Sequence, residues 1–492
     1  MTETGIGVPG VSIRHRETGL VRRQLSPLET FAQSLAATGP SIAVAGTIPL
    51  AYLTAGNGAA FAFVIATVLL LLVGYSVAQF AARTSSTGSL YSYVALGLGR
   101  VWGFVAGWAL VIGYTGIAAA TITGSALYGG AFLDAFGLSF FTTSAGQVVL
   151  LTVFALIAVY VPVRGVRLST RVAVALEAIS ITAIVVVLIA TLVHNGFPLD
   201  VDQLRVSDTN VSSIGVAAVL AAAAFVGFES SASLGVEARS PYRAVPRAVL
   251  GTVLGAGLLY IVAAYIQVVG FKASGDALAQ SSSPLGSLAT DAGVGWLGPV
   301  VDLGIVLSAL ACTSASLNAA SRIVFNLGRE GVLPAAVGDA HRRFSTPHVA
   351  ILVLAPIAYL VTVVLVLTGT DGLTIFGVTA AVATFGYLLA YLLILIAAPR
   401  FLRARGERST GAVVSGVLGV VGIGYVLVRN VYPVPDPPYN VLPYVFLGLL
   451  AIGVVGYVAL ASAAPGRAHG LGALVEHADE QHTRATDETT SR

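Results

Sequence analysis

The sequence predicts an all-α polytopic membrane protein with twelve transmembrane helices. Of its 492 residues, 56% are hydrophobic and only 10% are charged, whereas a soluble domain carries about 25% charged residues. The mean hydropathy is +0.88. The apolar residues form runs of about 20, the length of helix that crosses the hydrocarbon core of a bilayer, and basic residues separate these runs. These observations favour a multi-pass protein in a lipid bilayer.

The predicted spans follow an arm, residues 1–29, that contains basic residues and is expected in the cytoplasm. In chain order, spans 1 to 12 are placed at 32–55, 59–82, 101–130, 145–163, 172–193, 212–235, 246–270, 298–320, 348–368, 372–398, 411–428 and 440–462. Residues 465–492 are polar and contain His and acidic residues. Such a composition cannot bury enough apolar surface to order the chain, so we expect a disordered cytoplasmic tail.

The distribution of basic residues supports the count of twelve. Of the 26 Lys and Arg residues, all but Arg205, Lys272 and Arg429 lie in the arm, in the tail or in loops that follow even-numbered spans. These loops lie on one side of the membrane if the count is right, and a missed span would scramble the alternation. The positive-inside rule then places both termini in the cytoplasm.

Two spans contain residues that interrupt a helix. In span 1, Gly39 tolerates unusual dihedral angles, and Pro40 lacks an N–H and clashes with the preceding turn. In span 6, Gly227 is followed by Glu229 and two serines. Lipid offers no water to freed backbone groups or to a carboxylate, so these groups need protein or a wet cavity around them. Tight helix packing through small residues is the alternative, but it does not account for an ionisable Glu229 at this depth.

The spacing of the breaks predicts an inverted repeat. They lie five spans apart, so spans 6–10 are expected to repeat spans 1–5 from the opposite side, with spans 11 and 12 additional. Many secondary transporters bind substrate where two such helices meet. The half-helix after Pro40 presents N–H groups that suit a carboxylate. The half-helix that ends near Val226 presents carbonyl groups that suit an ammonium group. An α-amino acid is therefore the first expected ligand.

Four segments resemble the amino acid–polyamine–organocation (APC) superfamily of permeases. They are TGPSIAVAG at 38–46, GSLYSYVALGLGRVWGFVAGW at 88–108, FVGFESSASLGVEARSPYRAVPRA at 225–248 and SASLNAASRIVFNLGREGVLP at 314–334. The resemblance implies a transport core over residues 30–400, two further helices over 401–464, and amino acid transport by alternating access. It also implies the cytoplasmic membrane of a bacterium.

The resemblance also implies roles for individual residues. The expected substrate-binding residues are Thr38, Gly39, Pro40, Ser41, Ile42, Ala223, Phe225, Val226, Gly227 and Phe228. Tyr114 in span 3 is expected to line the site, and Asn318 and Arg322 in span 8 to form part of an inner gate. The chain departs from the family at its first break, where Gly39-Pro40 replaces the usual G-x-G.

Two coupling hypotheses stay open. In the first, Glu229 carries a proton, because a desolvated carboxyl group favours its neutral form. Glu177 in span 5 is a second candidate, while Glu229 could instead only cap the broken helix. In the second hypothesis, Na⁺ binds carbonyl groups near Gly39 together with the hydroxyls of Thr313 and Ser314, since hard cations take oxygen ligands. Exchange of substrates without an ion is a further option.

Other classes of protein fit less well. None of the seven histidines lies in the middle of a span and no HExxH spacing occurs, so an enzyme built on clustered catalytic groups is not expected. A channel needs charge rings or carbonyl filters, and a single Glu229 provides neither. A non-transporting membrane sensor stays open. The expected partners are a small-molecule substrate, a proton or Na⁺ and the bilayer, without cofactor or nucleic acid. Neutral or aromatic amino acids are slightly favoured.

Overall fold

The computed structural model describes residues 24–205, 211–274, 283–435 and 437–463, and these residues are predominantly helical. The first eight helices are α1 Pro27–Thr38, α2 Pro40–Ala55, α3 Ala59–Ala81, α4 Leu90–Leu98, α5 Arg100–Asp134, α6 Ser144–Arg164, α7 Val166–His194 and α8 Val201–Leu204. The others are α9 Val211–Ala223, α10 Pro241–Ser274, α11 Pro284–Asp291, α12 Gly298–Arg329, α13 His348–Leu367, α14 Gly372–Ala404, α15 Thr410–Arg429 and α16 Leu442–Ala463. Most of the predicted arm and the whole predicted tail, 465–492, lie outside the described residues.

Ten helical segments of the described chain are long and apolar enough to cross a membrane. The first, Pro27–Ala81, contains 55 residues and includes α1, α2 and α3. That length is more than twice the ~20 residues of a single crossing. A shorter apolar helix, Ser213–Ala223, lies within α9. The chain is therefore an all-helical multi-pass membrane protein, whereas the count of twelve spans and the inverted repeat stay predictions.

The first interruption lies at Gly39, between α1 and α2. Gly39 has φ 56° and ψ 58°, a left-handed conformation that is unfavourable for residues with a Cβ. Its N–H closes α1 on the carbonyl oxygens of Leu35 and Ala36. Pro40 then begins α2, where its missing N–H costs little because first-turn donors have no partner within the helix. The regular winding is thus interrupted at one residue.

The second interruption is longer than the sequence indicated. Helix α9 ends at Ala223 rather than near Val226, and α10 begins only at Pro241. Tight turns and a short 3₁₀ helix, Ser230–Leu234, occupy the interval. Gly227 has φ 96°, a conformation that residues with a Cβ rarely adopt.

Helices α5, α12 and α14 form the centre of the bundle, with α5 packed against both of the others. The most apolar stretch of the segment that contains α12 is 83% buried, compared with 11% for the segment that contains α16. Because α16 leaves most of its apolar surface uncovered by protein, it is suited to face lipid. The breaks in the chain lie against the central helices, where polar groups are shielded from the bilayer.

Candidate functional site

The two interruptions contact each other. A Cβ built on Gly227 would lie 2.6 Å from the carbonyl oxygen of Ala37, at the end of α1. The N–H of Ser231 donates to Ser34 Oγ over 3.0 Å. A side chain at Gly227 would therefore separate the two breaks, and the absence of one lets the backbones meet.

Glu177 of α7 binds the start of α2. Its Oε1 accepts hydrogen bonds from Ser41 N–H (3.2 Å), Ser41 Oγ (2.9 Å) and Ser308 Oγ (3.1 Å). The residue is fully buried, and its Oε2 has no hydrogen-bond partner in the described part of the chain. The first turn of a helix favours negative charge. The position predicted for a substrate carboxylate thus holds a carboxylate of the protein itself.

Glu229 lies beside the second break and is bound by two tyrosines. Tyr114 OH of α5 donates to Oε1 over 2.7 Å, and Tyr391 OH of α14 donates to Oε2 over 2.6 Å. The Phe228 ring packs on Tyr391 at 5.3 Å between centroids. Tyr387 packs edge-on against Tyr114 at 5.1 Å. Tyr391 was not predicted from the sequence, although Tyr387 and Tyr391 are four residues apart and share one helix face.

Of the Phe225, Val226 and Gly227 carbonyls predicted to bind a substrate ammonium group, those of Phe225 and Gly227 already take part in turns. The oxygen of Phe225 accepts from Phe228 N–H (3.2 Å), and the oxygen of Gly227 accepts from Ser230 N–H (2.9 Å). The side chains of Phe225, Val226 and Phe228 are buried. Each carbonyl oxygen keeps a second lone pair, so a ligand that reached this turn would share its acceptors with the backbone.

Asn318 and Arg322 of α12 belong to a buried polar network. The fully buried Arg322 guanidinium donates to Glu237, with 2.7 Å between Nη2 and Oε2, and it also donates to Asn318 Oδ1. Asn318 Nδ2 in turn donates to Gln33 Oε1 of α1 over 3.1 Å. Helices α1 and α12 and the segment before α10 are thereby joined. Glu237 and Gln33 were not singled out from the sequence, because only the fold brings them to α12.

The hydroxyls proposed for Na⁺ have other partners. Thr313 Oγ1 lies 2.8 Å from Thr121 Oγ1 of α5. Ser314 Oγ donates to the carbonyl oxygen of Ala158 in α6 over 3.2 Å. Ser314 is thus directed to α6 rather than to carbonyls near Gly39, which differs from the arrangement that the Na⁺ hypothesis assumed.

Two further predicted residues fill space at the first break. Thr38 Oγ1 donates to the Ser34 carbonyl oxygen of its own helix over 2.8 Å, which satisfies a carbonyl near the end of α1. The Cδ1 atom of Ile42 lies 3.2 Å from the position of a Cβ on Gly124. Ile42 therefore packs against α5.

A cavity of about 530 Å³ lies along α2, α9 and α14 and extends to Ala223. Its lining includes Thr47, Thr384 and the apolar side chains of Phe376 and Leu220. The cavity lies along α2 and α9, whereas the Arg322 network contacts α1 and the segment before α10. The cavity and the network thus contact opposite halves of the two interrupted helices.

A helical membrane protein with two interrupted helices in contact, buried carboxylates at both breaks and a cavity leading toward them has the architecture of a secondary transporter. Residues 34–460 match the family model for amino acid permeases. The chain therefore belongs to the amino acid permease family, which confirms the resemblance and identifies it as a transporter rather than an enzyme.

Its curated relatives are transporters. The chain is 31% identical over 362 residues to an uncharacterized transporter of Mycobacterium tuberculosis, a match that covers 73% of this chain and 78% of that protein. It is 26% identical over 314 residues to the branched-chain amino acid permease BcaP of Bacillus subtilis, with 60% and 65% covered. It is also 26% identical over 315 residues to the serine/threonine exchanger SteT of Bacillus subtilis, with 61% and 67% covered.

Proposed function

We propose that this protein moves a neutral amino acid across the cytoplasmic membrane of a bacterium by alternating access, coupled to protons. The observation that carries the proposal is that Glu177 and Glu229 are fully buried beside the two breaks, and that neither forms an ion pair within the described residues. A buried carboxylate without a basic partner is costly while it is charged. Protons neutralise such groups, and a group that gains and loses a proton during transport couples the two fluxes.

The contacts of Glu229 support its role as the proton carrier. Its donors come from α5 and α14, and its own segment contacts α1 through Ser231. Any rearrangement that moves the second break relative to α5 or α14 must change these hydrogen bonds, and the affinity for the proton changes with them. The protonation state of Glu229 is in this way linked to conformation.

The substrate is proposed from the shape and chemistry of the cavity. Its lining near the breaks is largely apolar, with the small Ala223 beside Phe376 and Leu220. Two of the relatives are named for branched-chain amino acids and for serine and threonine. Side chains of these sizes suit such a cavity, and we therefore propose a neutral substrate.

The buried network around Arg322 is proposed as the closed inner gate. It joins α1 and α12 to the segment before α10, and the backbone of Leu25 pairs with that segment through Glu237 and Arg239. With both termini in the cytoplasm, as the positive-inside rule predicts, this network closes the cytoplasmic side. The cavity then opens toward the outside.

Exchange of amino acids is a second candidate, because one relative is named an exchanger. Exchange and proton symport differ in one measurable respect. An exchanger loses flux when no amino acid is present on the opposite side, whereas a symporter accumulates substrate in empty vesicles.

The test is uptake of radiolabelled L-leucine and L-threonine into empty proteoliposomes. We expect saturable uptake that increases when the outside is made acidic and that is unchanged when choline replaces Na⁺. Glu229→Gln is expected to lose the response to the proton gradient while keeping exchange between preloaded vesicles. Glu407→Gln, in a loop far along the chain from the breaks, serves as the control. Uptake that requires Na⁺ would refute proton coupling, and the absence of saturable flux of any amino acid would refute the whole proposal.

A further inference from the structure

We propose that Glu177 is a tethered carboxylate that competes with the substrate carboxylate for the start of α2. An amino acid then binds there only after Glu177 has left as a neutral acid. This inference rests on the proposed function and assigns one of its binding contacts.

Glu177 occupies both hydrogen-bond donors of Ser41, at the start of α2. Pro40 has no N–H, and the N–H of Ala43 is bonded to the Gly39 carbonyl oxygen over 3.0 Å. Ser41 contributes both its N–H and its hydroxyl, and both donate to the same oxygen of Glu177. A second carboxylate cannot take these donors while Glu177 keeps them, and two adjacent negative charges in a buried site repel each other strongly.

The second oxygen of Glu177 also indicates that the substrate carboxylate can replace this side chain. The residue is fully buried, and Oε2 has no partner in the part of the chain that the structure describes. A permanent structural carboxylate is expected to have both oxygens hydrogen-bonded. Ser180 lies one turn further along α7, and its buried hydroxyl also lacks a partner among the described residues.

The surroundings of Glu177 contain no fixed positive charge within the described residues to compensate it. The titratable side chains that interact with it are Tyr260 of α10 and Cys312 of α12, both buried. Further along α7, Arg171 is paired with Glu29 of α1. Charge at the start of α2 is therefore set by Glu177, its proton and the ligand.

The exchange conserves charge at this site. Glu177 takes up one proton and releases the two donors of Ser41, and the substrate carboxylate brings one negative charge to the same donors. The net charge at the start of α2 is therefore the same before and after the substrate binds. A ligand that has the ammonium group but lacks the carboxylate does not compete with Glu177 for the donors of Ser41.

The test compares two probe pairs on the full-length protein in nanodiscs: L-leucine with L-leucinamide, and L-threonine with L-threoninamide. Binding is measured by calorimetry. For wild type we expect the Kd of the amino acids to rise as the pH is raised, by up to about tenfold per pH unit while Glu177 ionises. Glu177→Gln is expected to bind the amino acids more tightly at neutral pH and with a flat pH profile, and to leave the amides unchanged.

Two further variants make the result decisive. Ser308→Ala removes one of the hydrogen bonds that hold Glu177 without changing its charge, so amino acid binding at neutral pH is expected to tighten. Glu407→Gln should behave as wild type. The inference is overturned if folded Glu177→Gln keeps the wild-type pH dependence, or if it loses the affinity for the amides. If neither the amino acids nor their amides bind any of these folded proteins at any pH, both the proposed function and the inference are refuted.

Discussion

Replacing Gly227 by alanine tests whether contact between the two breaks is essential. The Cβ of alanine would lie 2.6 Å from the Ala37 carbonyl oxygen and 2.9 Å from its carbonyl carbon. Both atoms belong to the backbone and cannot move alone. Alanine at a positive φ costs about 1–2 kcal/mol, and overpacking a buried site costs about 1–3 kcal/mol. We therefore expect Gly227→Ala to lower the free energy of unfolding by about 2–5 kcal/mol.

The assay is thermal unfolding of the purified protein together with leucine uptake in proteoliposomes. Two glycines separate the sources of the effect. Gly369 has φ 83° and open space around its Cβ position, so Gly369→Ala reports strain without a clash. Gly255 lies within α10 with open space and no positive φ, so Gly255→Ala is expected to behave as wild type.

Uptake is expected to fall strongly in Gly227→Ala and to stay near wild type in the two controls. If Gly227→Ala folds with wild-type stability and transports normally, the two backbones do not need to meet and the contact is not essential. If Gly227→Ala loses only as much stability as Gly369→Ala, backbone strain alone accounts for the effect. That result would contradict a close approach between Gly227 and the Ala37 carbonyl.

Three further predictions follow from other contacts. Arg322→Ala leaves Glu237 buried without its partner and is expected to cost about 3–5 kcal/mol of unfolding free energy, whereas Arg322→Met with Glu237→Leu should recover most of that stability but not transport. Tyr391→Phe removes one donor from the buried carboxylate of the second break and should cost about 1–3 kcal/mol, seen as a lower unfolding temperature and slower uptake. Hydrogen bonds from Arg83 hold the pKa of the Glu407 carboxyl below its ordinary value, so this exposed pair stabilises the protein above that value and ceases to do so as the pH falls through the lowered pKa. Glu407→Gln should therefore cost about 0.2–1 kcal/mol at neutral pH and nothing in strong acid, and an equal cost at both pH values would contradict this assignment.

The positions of the breaks could be predicted because they depend on local chemistry. Gly39 and Pro40 disfavour a continuous helix through their own backbone geometry, and Gly227 followed closely by an ionisable residue is conspicuous in an apolar span. The extent of the second break could not be read in the same way. Gly227 marks one point of the break, but the sequence around it does not set where the helix ends or begins again. The turns there contact α1 through Ser230 and Ser231.

The partners of the buried carboxylates depend on tertiary structure. Glu177 was recognised only as an acid in an apolar span, and its contact with Ser41 requires α7 to lie against α2. Tyr391 and Glu237 were missed for the same reason, since each lies far along the chain from the residue that it bonds. Sequence patterns locate polar groups in a membrane protein, but the fold selects which of them meet.

The chain contains one cysteine, and it lies at the first break. Cys312 Sγ donates to the Ala37 carbonyl oxygen over 3.2 Å, and it lies 3.2 Å from the position of a Cβ on Gly39. The residue is buried, so a water-soluble thiol reagent reaches it only when the breaks are exposed to water during the transport cycle.

The most direct test of a substrate site at these breaks is the rate at which a membrane-impermeant thiosulfonate modifies Cys312 in proteoliposomes. We expect transported amino acids to change this rate, with the same half-saturating concentration as uptake, and expect Cys312→Ala to abolish the signal. A modification rate that is indifferent to a saturating, transported amino acid would place the substrate elsewhere and contradict the account.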